Sequence, residues 1–507
     1  MTVKRIVLSV MTFLVAVVLG SSLISSWNEP QVTGQLQLYQ SNLLLQAMEW
    51  QGDDLSGQEL QQVRSVLLGA DPIAEVVKQY QQVLKEAEQS LVRSQTRLNT
   101  SEAVLAEADT ISHRKLEQVV EQQQGLIDRL QLRLGLLDTQ QSQPAAALNT
   151  WQQLADAPTT APAVAATAQV LTQLWAPTPT VAPAAATVLQ ENLTGWFRYR
   201  ALEQLYQVQQ QAPAVAQLAQ QEQVMAQRTF LKLLVIGTLP TLGSVFGGVL
   251  LVVLLAQWWT QGKTAVLATN REQRWNVPWN GEVVWQVLIV GFFFVGQFVI
   301  PLLLSASGLS FATTSSRLRA VYSMVYYLLM SAGGIAVLVW SIREYLPLPE
   351  GWFRFKLVDK WPLWGWGGYL AVLPLMIGVS ILNQQLWQGQ GGSNPLLQTV
   401  LEEHDTLALT MFFLTASIAA PLFEEVLFRG FLLPSLTRYV PVWGAIGLSS
   451  LIFATAHLSL SEVLPLTVLG IALGFIYTRS RNLLAPMLLH STWNSVTMVG
   501  LLLLGGN

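Results

Sequence analysis

Residues 409–430 read LTMFFLTASIAAPLFEEVLFRG. The first half, 409–420, is an apolar run suited to a bilayer. The second half sets Glu424, Glu425 and Arg429 among leucine, phenylalanine and valine. A charged side chain near the centre of a spanning helix costs about 2.5–3.5 kcal/mol on insertion scales. Charges in such a place either reach the headgroups at a helix end or face the interior of a bundle and mark a functional path.

The rest of the chain supports a bilayer setting. Of 507 residues, 51% are hydrophobic and 12% charged, against about 25% charged in an ordinary soluble domain. The mean hydropathy is +0.39. The fold class this predicts is all-α, a polytopic transmembrane bundle of about eight core spans. To these are added an N-terminal signal anchor and an extramembrane helical, coiled-coil-like domain. A net charge of −3 gives no sign of nucleic-acid binding. The absence of cysteine excludes disulfides and thiolate metal sites. Any metal or acid–base site must draw its imidazoles from His113, His404, His457 and His490.

Four segments follow from the pattern. Residues 1–26 hold Lys4 and Arg5 before an apolar run and are expected to form a signal anchor, the cleaved signal peptide being the alternative. Residues 27–228 are polar and rich in Gln and Ala, with no spanning run. Within them Ile73, Val77, Tyr80, Leu84, Ala87 and Leu91 step by four and three. Leu116, Val120, Ile127, Leu130, Leu134 and Leu137 repeat the pattern, with Gln123 in one slot. These are heptad seams of two long helices, paired with each other or with a protein partner. Pro/Ala clusters from 143 to 190 are broken by short helical pieces around Trp151 and Leu174, with no convincing repeat period. Residues 229–365 carry spans at about 230–257, 283–305 and 321–342. Residues 366–507 carry five more, at about 366–384, 407–431, 443–460, 463–478 and 483–504. Trp258, Trp259, Trp340, Trp361 and Trp366 stand near span ends, as an interfacial aromatic belt requires.

Basic residues in the loops orient the bundle. Lys4, Arg5, Lys263, Arg271, Arg274, Arg343, Arg354, Lys356, Lys360, Arg429, Arg438, Arg479 and Arg481 all fall on one side, taken as cytoplasmic; Arg317 and Arg319 are the exceptions. Residues 27–228 are then expected on the non-cytoplasmic side.

Three polar clusters lie on the last spans. Glu425 and Arg429 are four apart, so they share a face and can neutralise each other. Glu424 is rotated by about 100° from Glu425 and is the carboxylate left free to work. Phe453 and His457 share a second face, and His490 and Asn494 a third. Taken singly, each has a plain structural explanation: headgroup-reaching charges, a core histidine, an asparagine bonding between helices. Three in succession point to one site.

The ordered motifs Glu424-Glu425-xxx-Arg429, Phe453-xxx-His457 and His490-xxx-Asn494 resemble the CAAX-protease and bacteriocin-processing family, whose prenyl endopeptidases include the Ras-converting enzyme. The resemblance covers about 370–504 and omits 27–228. It implies an intramembrane endopeptidase acting on membrane-embedded or lipid-anchored peptides. Glu424 would activate a water that His457 helps to hold, His490 and Asn494 would bind the oxyanion, and Glu425 and Arg429 would support them. No cofactor is favoured. A zinc-dependent version, with Glu424, His457 and His490 as ligands, is the metal alternative. A proton-relay transporter and a non-catalytic membrane scaffold are the rival classes. The transporter predicts paired repeats that the chain does not show.

Overall fold

The computed structural model describes residues 2–27, 29, 31–52, 67–104, 110–309 and 315–505. The fold is all-α, with no strand among the described residues. The chain divides into two compact units, 33–238 and 1–32 with 239–506. It opens with α1 (Val3–Ser26) of the second unit.

Residues 33–238 contain α2 (Thr33–Met48), α3 (Pro72–Val104), α4 (Thr110–Gln140), α5 (Pro144–Asp156), α6 (Pro162–Trp175), α7 (Ala185–Asn192), α8 (Gly195–Val208) and the first part of α9 (Ala212–Gln261). Helices α3 and α4 pack together, as their heptads predict. The buried set is nevertheless wider than a seam. Helix α3 buries Val76 and Val83 beside Val77, Tyr80 and Ala87, and α4 buries Leu132 and Leu136 beside Ile127, Leu130, Leu134 and Leu137. Leu132 and Leu136 lie opposite the Ile127–Leu134 face, so α4 needs neighbours on both sides. Helix α5 packs on α4, and Trp151, Leu171, Trp196, Phe197 and Leu205 from α5, α6 and α8 join one core with α3 and α4. The two helices are thus part of a many-helix domain, and the coiled coil expected from the heptads is not shown. Its indole Trp151 donates to the Leu132 carbonyl at 3.1 Å. That contact requires glycine at 135, where a Cβ would stand 2.4 Å from Trp151 Nε1. Prolines 144 and 162 occupy the first turns of α5 and α6, where no intrahelical N–H is lost.

The membrane unit holds α1, the rest of α9, α10 (Gly281–Ala306), α11 (Ser316–Ile342), α12 (Trp361–Trp387), α13 (Pro395–Glu402), α14 (Thr406–Leu436), α15 (Val442–Thr455), α16 (Leu460–Ser480) and α17 (Leu484–Gly505). Eight described helices are long and apolar enough to cross a membrane: α1, α9–α12, α14, α16 and α17. The chain is a multi-pass membrane protein. The span expected at 443–460 is instead α15, of 14 residues, which reaches only about 21 Å of a hydrocarbon core about 30 Å thick. The chain turns at Leu458, with φ 60°, before α16. Apolar residues continue through that turn, so hydropathy alone does not show it.

The loops rich in basic residues meet at one end of this unit. Lys4 and Arg5 pair with Glu282 at 3.1 and 2.8 Å. Asn270 donates to the Arg479 carbonyl at 2.9 Å, Arg438 to the Val277 carbonyl at 3.3 Å, and the Leu483 amide to the Arg354 carbonyl at 2.9 Å. The opposite end joins Ser26 to the Leu460 amide at 3.1 Å and Arg317 to Asp405 at 2.7 Å. Asp405 also caps α14, accepting from the Leu407 and Ala408 amides at 3.0 Å each. The Ala408 N–H, with Arg317 beside it, holds the Asp405 carboxyl below the usual carboxylate range.

Candidate functional site

Helix α14 carries the first cluster, and it is not a uniform α-helix. Thr415–Ala419 and Glu425–Leu432 are π-helical, with α-helical Ala420–Glu424 between them. Such local widening is frequent where side chains are re-aimed at functional sites. Glu425 and Arg429 keep their shared face and form an ion pair of 2.8 Å, with side-chain exposures of 0% and 1%. The Arg429 guanidinium lies 4.5 Å over the Phe453 ring and reaches the Gly470 carbonyl at 3.3 Å. That contact requires α16 to run close to α15: a Cβ on Gly470 would stand 2.8 Å from Ser450 Cβ.

His490 completes this buried group. Its Nδ1 is 2.8 Å from Glu425 Oε1, the same oxygen that accepts from Arg429. The chain Arg429–Glu425–His490 therefore fixes the imidazole and turns Nε2 toward Glu424, whose Oε2 is 3.9 Å away. The other Glu424 oxygen, Oε1, accepts a hydrogen bond of 2.8 Å from the Tyr327 hydroxyl on α11. Glu424 and Glu425 diverge as the helical rotation predicts, and only Glu425 is bonded to a cation.

His457 lies in the turn after α15. Its Nδ1 is 2.9 Å from the Phe453 carbonyl. A carbonyl only accepts, so Nδ1 carries the proton and neutral His457 has its lone pair on Nε2. The Phe453 ring stands edge-on to both imidazoles, 5.0 Å from His457 and 5.9 Å from His490. Asn494 on α17 donates through Nδ2 to the Ala416 carbonyl at 2.8 Å. That acceptor lies in the first π segment.

Glu424, His457, His490 and Asn494 all line one cavity of about 640 Å³. Its wall is otherwise largely apolar, with Phe292, Phe293, Met330, Leu466 and Leu469 among the residues on it. Span ends read from the sequence would put His457 about 10 Å deeper than Glu424. The difference closes because α14 continues to Leu436. Counted from the basic end of each helix, Glu424 is then about 18 Å in and His457 about 22 Å in.

Two cavity residues lack a signal in the sequence. Tyr327 sits in an aromatic-rich span beside Tyr322 and Tyr326 and has no spacing relation to residues 97 positions away. Glu462, in the first turn of α16, lines the same cavity and accepts from the Asn394 amide at 2.6 Å. As a lone acid at a span start it looks like an interfacial charge.

The zinc alternative finds no ligand set. No group of three or more His, Cys, Asp or Glu gathers in metal-binding geometry among the described residues. Tyr327 holds one oxygen of Glu424, and Phe453 and Glu425 hold the Nδ1 atoms of His457 and His490, which leaves Glu424 Oε2 and the two Nε2 atoms open to the cavity.

A polytopic helical bundle with a polar cavity inside the membrane unit is the class this geometry defines. Residues 406–496 match the family model "Type II CAAX prenyl endopeptidase Rce1-like". The chain is also 25% identical over 137 residues to the Bacillus subtilis (strain 168) protein titled "Putative membrane peptidase YdiL", a match covering 27% of this chain and 55% of that protein. The chain thus spans about half the length of that relative. No solved structure matches. Segment 406–496, which holds α14 to the first part of α17, is thus similar to the CAAX-protease and bacteriocin-processing family that the ordered motifs resemble.

Proposed function

We propose that the membrane unit is an intramembrane endopeptidase of the glutamate type, hydrolysing peptide bonds of membrane-embedded or lipid-anchored substrates. The observation that carries this reading is the meeting of Glu424, His457, His490 and Asn494 on one cavity, with Arg429 and Glu425 buried behind it. A water in the cavity accepts nothing from His457 Nδ1, which is committed to Phe453; it donates instead to the Nε2 lone pair. Its other proton goes to Glu424 Oε2, the carboxylate oxygen that Tyr327 leaves open. The water oxygen attacks the scissile carbonyl carbon, and the carbonyl oxygen becomes an oxyanion. Asn494 has a second amide hydrogen beyond the one given to Ala416, and His490 Nε2, when protonated, supplies another donor. Donors fixed in advance at that position stabilise the charge where it develops. Glu424 then passes its proton to the leaving nitrogen, the C–N bond breaks, and the carboxylate is restored.

The two glutamates divide the work. Glu425 holds Arg429 and His490 through Oε1 and does not line the cavity, so it orients His490 and does not meet substrate. The largely apolar wall suits the lipid-side surface of a membrane peptide. We further place residues 27–228 on the non-cytoplasmic side, on the strength of the basic loops gathered at one end. A role for that domain in presenting a substrate or binding a protein partner belongs to the same proposal.

The test is cleavage of a panel of fluorogenic membrane peptides by the purified protein, with products assigned by mass spectrometry and bound metal measured on the same sample. The proposal expects cleavage that survives chelation with no stoichiometric zinc. Cleavage lost on chelation and restored by zinc would establish the metal type. An intact panel, with protons or solute moved across vesicles, would favour the transporter class.

A further inference from the structure

The family-like segment 406–496 does not contain every group that touches the reacting carboxylate. Tyr327 comes from α11, and its hydroxyl lies 2.8 Å from Glu424 Oε1. We infer that Tyr327 is a positioning residue for the base, acting through Glu424. This rests on the peptidase reading and deepens it.

An ionised carboxylate can only accept, so the phenol donates. The bond does two things. It fixes the Glu424 rotamer, since one of its two oxygens is tied to a ring on a different helix. It selects the working oxygen, because Oε1 is occupied while Oε2 faces His490 Nε2 and the cavity. The donor itself is held: the Tyr327 ring stands edge-on to Phe423, the residue before Glu424, at 6.2 Å. Helix α11 approaches this closely because Gly334 faces the same phenylalanine; a Cβ there would stand 2.9 Å from Phe423 Cζ. Tyr326, its neighbour in sequence, donates elsewhere, to the Gly296 carbonyl at 3.1 Å.

The experiment compares wild type, Glu424→Gln, Tyr327→Phe and a 3-fluorotyrosine replacement at 327 in the full chain, with rates given per folded molecule. Tyr327→Phe keeps the ring against Phe423. It should lower kcat by about 10-fold or more, within the range of a general-base contribution, while KM changes by less than about twofold. Fluorotyrosine keeps both the shape and the donor, so it should keep the kcat that Tyr327→Phe loses, with KM likewise unchanged. Wild-type kcat in Tyr327→Phe, or a kcat lost equally in the fluorotyrosine protein, with Glu424→Gln inactive, would overturn the positioning role and leave the peptidase reading intact. Normal cleavage by Glu424→Gln would remove the peptidase reading and this inference with it.

Discussion

Glu425 is the residue on which the buried polar group turns. One oxygen accepts from both Arg429 and His490 at 2.8 Å. Breaking a buried ion pair leaves an uncompensated charge and typically costs about 3–5 kcal/mol. Arg429→Ala should therefore cut the yield of folded protein sharply, measured by detergent size exclusion. Normal yield with full activity would mean that Arg429 only reaches headgroups. Glu425→Gln should lower stability and also release His490, leaving partial activity in the molecules that fold. If Glu425→Gln folds fully yet is inactive while Glu424→Gln cleaves, the roles of the two glutamates are reversed. At this scale the i,i+4 arithmetic exposed the Glu425–Arg429 pair, because both partners lie on one helix and four residues is a local distance. It could not expose the bond from His490 to Glu425, 65 residues apart, or that from Tyr327 to Glu424, 97 residues apart. Those depend on which helix neighbours which, and a single sequence carries no record of that.

The elements show the same division. Spanning helices were legible from hydropathy because an apolar run of helical length has few other uses. Their ends were less so. Helix α15 stops at Thr455 although apolar residues continue, and α14 passes through two π-helical segments that no composition rule marks. The heptads of α3 and α4 predicted two paired helices and the two pack together, but Leu132 and Leu136 form a second buried face on α4 that a single seam does not explain. Helix α11 supplies an element-scale test. Gly334→Val adds a side chain against Phe423 and the Gly291 carbonyl, which stand 2.9 and 3.3 Å from where its Cβ would lie. Overpacking of this kind usually costs about 1–3 kcal/mol. The variant should stay folded, with α11 displaced and kcat reduced. Wild-type kcat in Gly334→Val would show that the close approach of α11 to α14 does not matter to the site.

At the scale of the molecule, each unit has its own core, one built on Tyr80, Trp151, Trp196 and Phe197 and one on Trp279, Phe428, Phe431 and Phe453. The site lies wholly within the membrane unit. Deleting residues 40–225 should consequently leave a membrane protein that folds, as judged by monodisperse elution. Aggregation of the truncated chain would show that the two units depend on each other. Orientation is tested separately: a protease added outside right-side-out vesicles should digest residues 27–228, and their protection would reverse the topology drawn from the basic loops. The most direct measurement of the whole account is the rate of peptide cleavage per folded molecule in wild type and Glu424→Gln. The substitution keeps the shape and removes the proton acceptor, and loss of a general base costs about 10²–10⁴-fold. The account predicts a fall of that size with unchanged folded yield; equal rates in the two proteins would contradict it.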